Sequence, residues 1–263
     1  MVVASWNINS ARLRVGLIAK LLEAERPDVL CLQETKATVE QLPQEAFAAA
    51  GYPHVVARGE KGYNGVAILS RHPLEDAGAY DFCARGDARH VAARVAVGGA
   101  SVTVHSVYTP AGGDAPDPET NDKFAHKLQF LDEMATRFAA PGGPSVVVGD
   151  FNVAPLENDV WSHKQMLKVV SHTPVEVEKL TAAQARGGWI DAHRARTPPD
   201  EKLYSWWSYR ARDWAASDRG RRLDHIWLSP DLKGALAQAW ILRAARGWEG
   251  PSDHAPVLAR LTL

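Results

Sequence analysis

The chain has 263 residues, 46% of them hydrophobic and 23% charged, a composition that fits a globular protein and excludes a disordered or fibrous one. A net charge of −1 gives no global field toward nucleic acid or membrane, so any polyanion site has to be a local basic patch. No apolar run approaches the roughly 20 residues of a membrane span, and the N-terminus carries no secretory signal pattern. The two distant cysteines, Cys31 and Cys83, form neither a zinc motif nor a disulfide framework. A cytoplasmic protein is expected, with a monomer as the default.

Residues 2–8 read as a first strand. A helix over 12–24 follows, with Leu13, Leu17 and Leu21 on one face, and Pro27-Asp28 ends it. Residues 29–32 form a buried strand with Gln33-Glu34 at its end. A short helix covers 45–50. Strands at 54–57 and 65–70 flank a Lys61-Gly62-Tyr63-Asn64-Gly65 loop. Residues 89–97 and 101–108 pair as a hairpin around Gly98-Gly99. After a loop rich in Pro, Gly and Asp comes the clearest helix, whose stripe is Phe124, Leu128, Leu131, Ala135 and Phe138. Val146, Val147 and Val148 form a strand buried on both faces. Beyond Pro155 the pattern weakens. It predicts a short helix over 181–186, an extended stretch over 203–209, and strands at 226–228, 239–242 and 257–263. Many strands with few helices predict an α/β fold of two packed sheets covered by helices, as one domain over 1–263.

Polar residues recur at the edges of these strands. Asn7 and Asn9 stand at the end of the first, Glu34 at the end of the second, and Tyr108 ends the strand over 101–108. Asp150 and Asn152 follow the valine run. Asp224 opens the strand over 226–228, and Asp253-His254 precedes the last. Turn chemistry accounts for any one of these. Together they can share a rim only if the strands they follow and the strands they lead run in opposite directions, which predicts mixed sheets. The set is rich in oxygen donors and has no cysteine, which suits a hard cation, Mg²⁺ with Mn²⁺ as substitute. No HExxH, Walker, GxGxxG or GxSxG pattern is present.

The chain resembles the exonuclease III family of AP endonucleases, within the DNase I-like endonuclease/exonuclease/phosphatase superfamily. The resemblance rests on Trp6-Asn7-Ile8-Asn9, Leu32-Gln33-Glu34-Thr35-Lys36, Tyr108-Thr109-Pro110-Ala111-Gly112 and Gly149-Asp150-Phe151-Asn152-Val153-Ala154. It continues through Ser205-Trp206-Trp207-Ser208-Tyr209-Arg210, Arg222-Leu223-Asp224 and Ser252-Asp253-His254-Ala255-Pro256. The seven motifs occur in family order and span nearly the whole chain. Ser10 departs from the glycine often found there, and Asn9 stands where some relatives have Asp.

This resemblance implies a four-layered α/β sandwich and Mg²⁺-dependent hydrolysis of a DNA phosphodiester. Cutting is expected 5′ to abasic sites in double-stranded DNA, with 3′-to-5′ exonuclease and 3′-phosphatase activity, in base-excision repair. It implies metal-site roles for Asn7, Glu34 and Asp253, with Asp150 and Asn152 as further candidate ligands. Tyr108, Asp150, Asn152, Asp224 and His254 are the implied catalytic set. Asp224 would orient His254, and either His254 or Asp150 would be the general base. His225 should face the other way and be structural. Residues 202–222 carry six Lys or Arg against two Asp, interleaved with aromatics. Trp206, Trp207, Arg210 and Arg222 are therefore expected to contact DNA, with Arg85 and Arg89 as further phosphate contacts. Alternatives are another superfamily phosphohydrolase, acting on an inositol phosphate or phospholipid, and a DNA-binding protein with a degenerate site.

Overall fold

The computed structural model describes residues 1–263. Its first half runs β1 (Val2–Asn7), α1 (Val15–Glu25), β2 (Val29–Gln33), α2 (Gln44–Ala49), β3 (His54–Glu60), β4 (Tyr63–Ser70), β5 (Leu74–Gly78), β6 (His90–Val97), β7 (Ala100–Tyr108) and α3 (Asp122–Arg137). The second half runs β8 (Ser145–Asp150), α4 (His163–Met166), α5 (Pro174–Arg186), β9 (Ile190–Asp191), β10 (Trp206–Trp207), α6 (Trp214–Ser217), β11 (Gly220–Arg221), β12 (Asp224–Leu228), β13 (Leu236–Ile241) and β14 (Val257–Leu261).

Two mixed six-stranded sheets form the centre, ordered β13-β14-β1-β2-β4-β3 and β5-β6-β7-β8-β12-β9, and a short β10-β11 ribbon stands apart. The alternation of side chains along a strand explains the layers. Val3, Val29, Cys31 and Ile68 point inward to meet Val104, Val146, Val148 and Ile226 of the other sheet. Their neighbours Ala4, Leu30, Leu32 and Leu69 point outward under Ile18, Leu21, Leu22 and Phe47 of α1 and α2. On the opposite flank Val107, Val147 and Trp227 pack under Phe130, Leu131, Met134 and Leu180 of α3 and α5. Because helices cover both sheets, central strands are apolar on both faces, and the valine run needs no polar alternation. The result is the expected helix–sheet–sheet–helix sandwich.

Some local expectations shift. The first helix starts at Val15, and Leu13 is 75% exposed rather than part of its apolar face. The cause is Arg14, which donates to the carbonyls of Ile8 and Asn9 and holds the preceding residues in a turn. The 61–65 loop is mostly strand, since β3 and β4 pair down to Glu60 and Tyr63. β5 carries Glu75 and Asp76 on an exposed edge, so its apolar signal is weak. α5 begins seven residues before the expected short helix: Pro174 sits in its first turn and Glu176 accepts the Thr173 N–H.

Candidate active site

Strand direction brings the polar ends together. β7 and β8 are parallel, with Tyr108 level with Asp150. β12 runs antiparallel to β8 and sets Asp224 directly across from Asp150. In the other sheet β1 and β2 are parallel, so Asn7 and Gln33 end level, followed by Glu34. β14 is antiparallel to β1, and Asp253-His254 therefore enters from the same rim. Gly149 permits the close approach of β8 to β7: its φ is +146°, and a Cβ there would stand 1.8 Å from the Val107 carbonyl oxygen. Asn9, Ser10, Glu34, Lys36 and Asn152 all hold left-handed φ values. The chain thus turns sharply as it leaves three strands, a concentration of strain typical of functional sites. Ser10 keeps the turn at φ +89°, in place of a glycine.

Asp150 is 1% exposed and held by three N–H donors. The Asn152 backbone donates to Oδ1 at 2.9 Å, the Asn152 amide to Oδ2 at 3.1 Å, and the Asn7 amide to Oδ2 at 2.9 Å. His254 Nδ1 donates to Asp224 Oδ2 at 2.8 Å, and its Nε2 lies 3.7 Å from Asp150 Oδ2. The Ser205 hydroxyl also donates to Asp224 Oδ2, at 2.6 Å, while accepting the Asp224 N–H. Asp224 Oδ1 is buried without a partner. Burial raises the Asp150 carboxyl to about 7; His254 opposes this and Asp224 adds to it. Burial disfavours the His254 imidazolium, but Asp224 and Asp150 outweigh it and lift the ring to about 10. Two carboxylates sharing one imidazolium give a base and an acid from neighbouring groups. Asp150, Asp224 and His254 also place ligating atoms within 4.8 Å of one another, a group that could hold a metal ion.

The other expected metal ligands stand beside this trio. Asn7 Nδ2 links Asp150 to Glu34 Oε1, at 2.8 Å from the latter. The Asn7 side-chain Oδ1 instead accepts the Asn9 N–H, so Asn7 presents nitrogen, not oxygen, to the site, and direct ligation would require its amide to turn over. Lys36 Nζ sits 2.9 Å from Glu34 Oε2 and also donates to Asn9 Oδ1. Burial would raise Glu34, but the Asn7 hydrogen bond and the Lys36 charge hold it below the ordinary carboxylate range. Asp253 Oδ2 accepts the Trp206 indole N–H at 2.9 Å. Tyr108 is buried under the Arg89 guanidinium, 4.9 Å from its ring. Burial, with Glu34 and Asp150 nearby, pushes the phenol well above its usual value, so it stays a neutral donor.

This arrangement can be set against known proteins. The Endonuclease/Exonuclease/phosphatase family matches over residues 4–254. The chain belongs to that family. It is 30% identical over 272 residues to the exodeoxyribonuclease III of Haemophilus influenzae, covering 97% of each protein. Its structure superposes on an AP endonuclease from Archaeoglobus fulgidus with TM-score 0.91 and 29% identity, covering 100% of both chains. A 3′ phosphatase from Neisseria, bound to a product DNA hairpin, gives TM-score 0.85 at 32% identity, again with full coverage. The chain is thus a hydrolytic nuclease of a metal-dependent family, and its relatives support an activity in DNA repair. No helix is long and apolar enough to cross a membrane.

Four of the nuclease's expected DNA-contact residues divide sharply. Trp206 is half-buried beside Asp253, with Arg221 4.9 Å above its ring, and Arg210 is exposed without an ion-pair partner. Trp207 is 1% exposed; its indole donates to Asp218 and it packs against Tyr204 and Trp214. Arg222 is likewise 1% exposed, donating to both oxygens of Asp159 and to Asp191. Neither can reach a phosphate, so both expectations are corrected: Trp207 alternates with Trp206 to the inner face of β10, and Asp159 and Asp191 hold Arg222 inside, in the link between β11 and β12. Arg89 is also buried, against Asp87 and the Tyr108 carbonyl, whereas Arg85 is exposed. His225 bonds the Val153 carbonyl and Arg222, away from the trio. Two serines that open quoted motifs but had no expected role support the site: Ser205 on Asp224, and Ser252, whose hydroxyl donates to the Asn7 main-chain carbonyl at 2.6 Å. Both are small polar residues in the segments that lead into strands, a pattern too common to single out.

Proposed function

We propose that this protein is a Mg²⁺-dependent AP endonuclease that cuts double-stranded DNA 5′ to abasic sites. It would also carry 3′-to-5′ exonuclease and 3′-phosphatase activity in base-excision repair. The observation that carries the reading is His254, set between Asp224 and an Asp150 whose carboxyl titrates near neutrality. The names of the relatives, exodeoxyribonuclease III, AP endonuclease and 3′ phosphatase, support the substrate class.

Asp150 is the better general base. Its oxygens are fixed by three N–H groups, and its raised value suits proton abstraction from water at neutral pH. His254 stays protonated over that range and would face the charge that develops on the phosphorus oxygens. Tyr108, neutral and buried beside Asp150, would donate to a phosphate oxygen or the leaving group. Asn152 would orient the water through its amide oxygen, since both amide protons are engaged by Thr109 and Asp150.

The donor set fits a hard cation. Glu34, Asp253 and Asp150 offer carboxylate oxygens, and Glu34 already attracts the Lys36 ammonium. Mg²⁺ held by Glu34 and Asp253, with Asn7 through water or a turned amide, would stabilise charge on a non-bridging oxygen and the leaving 3′-oxygen. Exposed Arg210 and half-buried Trp206 would meet the DNA, so affinity should fall steeply with salt. We place the enzyme in the cytoplasm as a single-domain monomer, a setting compatible with free Cys31 and Cys83.

The test is incision of a labelled duplex carrying one abasic site, with Mg²⁺ and with EDTA. Metal-dependent cutting 5′ to the lesion, absent in Asp150→Asn, is the expected result. Folded protein that leaves the duplex intact but hydrolyses an inositol phosphate or phospholipid would overturn it.

A further inference from the structure

One charged pair is buried where the apolar pattern calls for a hydrocarbon. On α3 the inward face is Phe124, Lys127, Leu131 and Met134, and Lys127 is 0% exposed. Each of its ammonium protons has an oxygen. One goes to the Asn152 carbonyl at 2.7 Å, one to the Ala111 carbonyl at 3.3 Å, and one to the Glu176 carboxylate. Glu176 is also 0% exposed. Its carboxylate further accepts the Ser171 N–H at 2.9 and 3.0 Å, the Thr173 N–H at 3.1 Å and the Thr173 hydroxyl at 2.6 Å.

The three oxygens belong to three segments: the loop after Tyr108, the loop after β8 that carries Asn152, and the first turn of α5. A buried ion pair is weak evidence for stability, because desolvation consumes most of the attraction, and hydrocarbons of similar volume often serve as well. Fixed geometry is what such a pair can supply and a methionine cannot. The geometry matters at Asn152. That residue holds φ +54°, a left-handed conformation that asparagine adopts more readily than other residues with a side chain when its amide is hydrogen-bonded locally. Its N–H and amide make two of the three hydrogen bonds to Asp150, and its amide also donates to the Thr109 carbonyl at 2.9 Å. Turning the Asn152 carbonyl away would rotate the same residue that aims the base.

We propose that Lys127, together with Glu176, is a positioning residue for phosphodiester hydrolysis: it pins the Asn152 carbonyl and thereby holds the Asn152 amide and the Asp150 carboxylate in register with Tyr108. The pair also reaches the binding face. Ser171, bonded to Glu176, accepts Arg221 at 2.9 Å, and Arg221 lies over Trp206. The inference rests on the nuclease reading above, and neither Lys127 nor Glu176 touches substrate.

The test compares wild type, Lys127→Met and Lys127→Met/Glu176→Gln in steady-state incision and in thermal unfolding. The single variant strands a buried carboxylate and should lose both stability and activity. The double variant should regain most of the lost Tm, yet keep a kcat roughly 10- to 100-fold below wild type, with KM within about threefold, because a misplacement on the order of 1 Å costs that much. Recovery of kcat together with Tm would overturn the proposal, since the pair would then be structural only. An unchanged kcat with raised KM would overturn it too, assigning the pair to the Trp206 face. If the double variant does not fold, Lys127→Arg/Glu176→Asp keeps both charges but moves the donor; reduced kcat is expected, and wild-type kcat overturns the idea. Wild-type protein that cuts no DNA would instead sink the nuclease reading, and this inference with it.

Discussion

Asp224 lies directly across the β8–β12 ladder from Asp150, and His254, bonded to the first, stands 3.7 Å from the second. A one-residue slip of that ladder would turn one carboxylate to the opposite face, so the pairing register is itself part of the site. Asp150→Asn keeps the shape but loses the base and reverses one hydrogen-bonding role. Incision should fall by a factor on the order of 10²–10⁴. His254→Gln should cost on the order of 10²–10³ by removing the cation. Both should bind abasic duplex within a few-fold of wild type. Single-turnover rates alongside binding titrations check this, and normal turnover in both variants would sink the site.

The pH profile follows from the same trio. As the proposed base, Asp150 would have to be deprotonated, so kcat/KM should rise with pH through the neutral range, since burial lifts its carboxyl to about 7. In the proposed role His254 would have to stay protonated, so the rate should fall again toward about 10. The profile is a bell whose limbs belong to the coupled pair rather than to either residue alone. In His254→Gln the alkaline limb should disappear and the acid limb should move to higher pH, because the cation no longer opposes the rise of the Asp150 carboxyl. A profile that is flat from pH 6 to 8 would remove Asp150 from the base role.

Much of this was readable in the sequence because the polar residues flank strands that are otherwise apolar. Asp150 after Val146-Val147-Val148, and Asp224 before Ile226, stand out for that reason, and the need for opposed strands followed from which end each occupied. The inner members of the same motifs were not readable. Trp207 and Arg222 look like Trp206 and Arg210 in a list of residue types, and only the packing distinguishes them: the faces of β10 separate the tryptophans, and the buried carboxylates of Asp159 and Asp191 claim Arg222. Lys127 was hidden differently: its helix was clear, but the stripe can equally be drawn through Leu128, which the structure leaves half-buried. The capping pattern Thr173-Pro174-Val175-Glu176 was present in the chain and would have placed the start of α5.

The two arginines offer a direct comparison. Arg210→Ala removes an exposed cation and should lower the salt dependence of DNA binding by roughly one unit of slope, with little change in Tm. Arg222→Ala leaves Asp159 and Asp191 short of their shared buried partner. It should cost about 3–5 kcal/mol of stability without changing the salt slope of whatever protein remains folded. Affinity measured from 50 to 200 mM salt, with urea melts, separates them. An altered slope in Arg222→Ala would restore it as a phosphate contact.

The tryptophans separate in the same way. Trp207→Ala empties a fully packed site and should destabilise by about 3–5 kcal/mol. Trp206→Ala loses a half-buried face and its hydrogen bond to Asp253. It should weaken cutting at abasic sites more than removal of a 3′-phosphate, because only the former uses an extruded sugar. Equal losses on the two substrates would make Trp206 a packing residue.

Acid stability should depend on His193. It is 1% exposed; its Nε2 donates to the Trp240 carbonyl at 3.1 Å, and its Nδ1 is buried without a partner. Burial lowers the ring to about 4, with Arg222 and His225 adding to that effect and Asp191 opposing it. The folded value lies below the unfolded one of about 6.5, so the unfolded chain binds the extra proton between them. The contribution is fully present above about pH 6.5 and is lost as pH falls toward 4, a total of about 3 kcal/mol. Asp150 titrates in the opposite sense over much of this window, since its folded value is raised. The measurement is therefore the difference between wild type and His193→Asn in urea melts at pH 8, 6.5, 5.5 and 4.5. The wild type should lose stability relative to the variant as pH drops below 6.5. A constant difference across that range would mean that His193 is not held neutral by its surroundings.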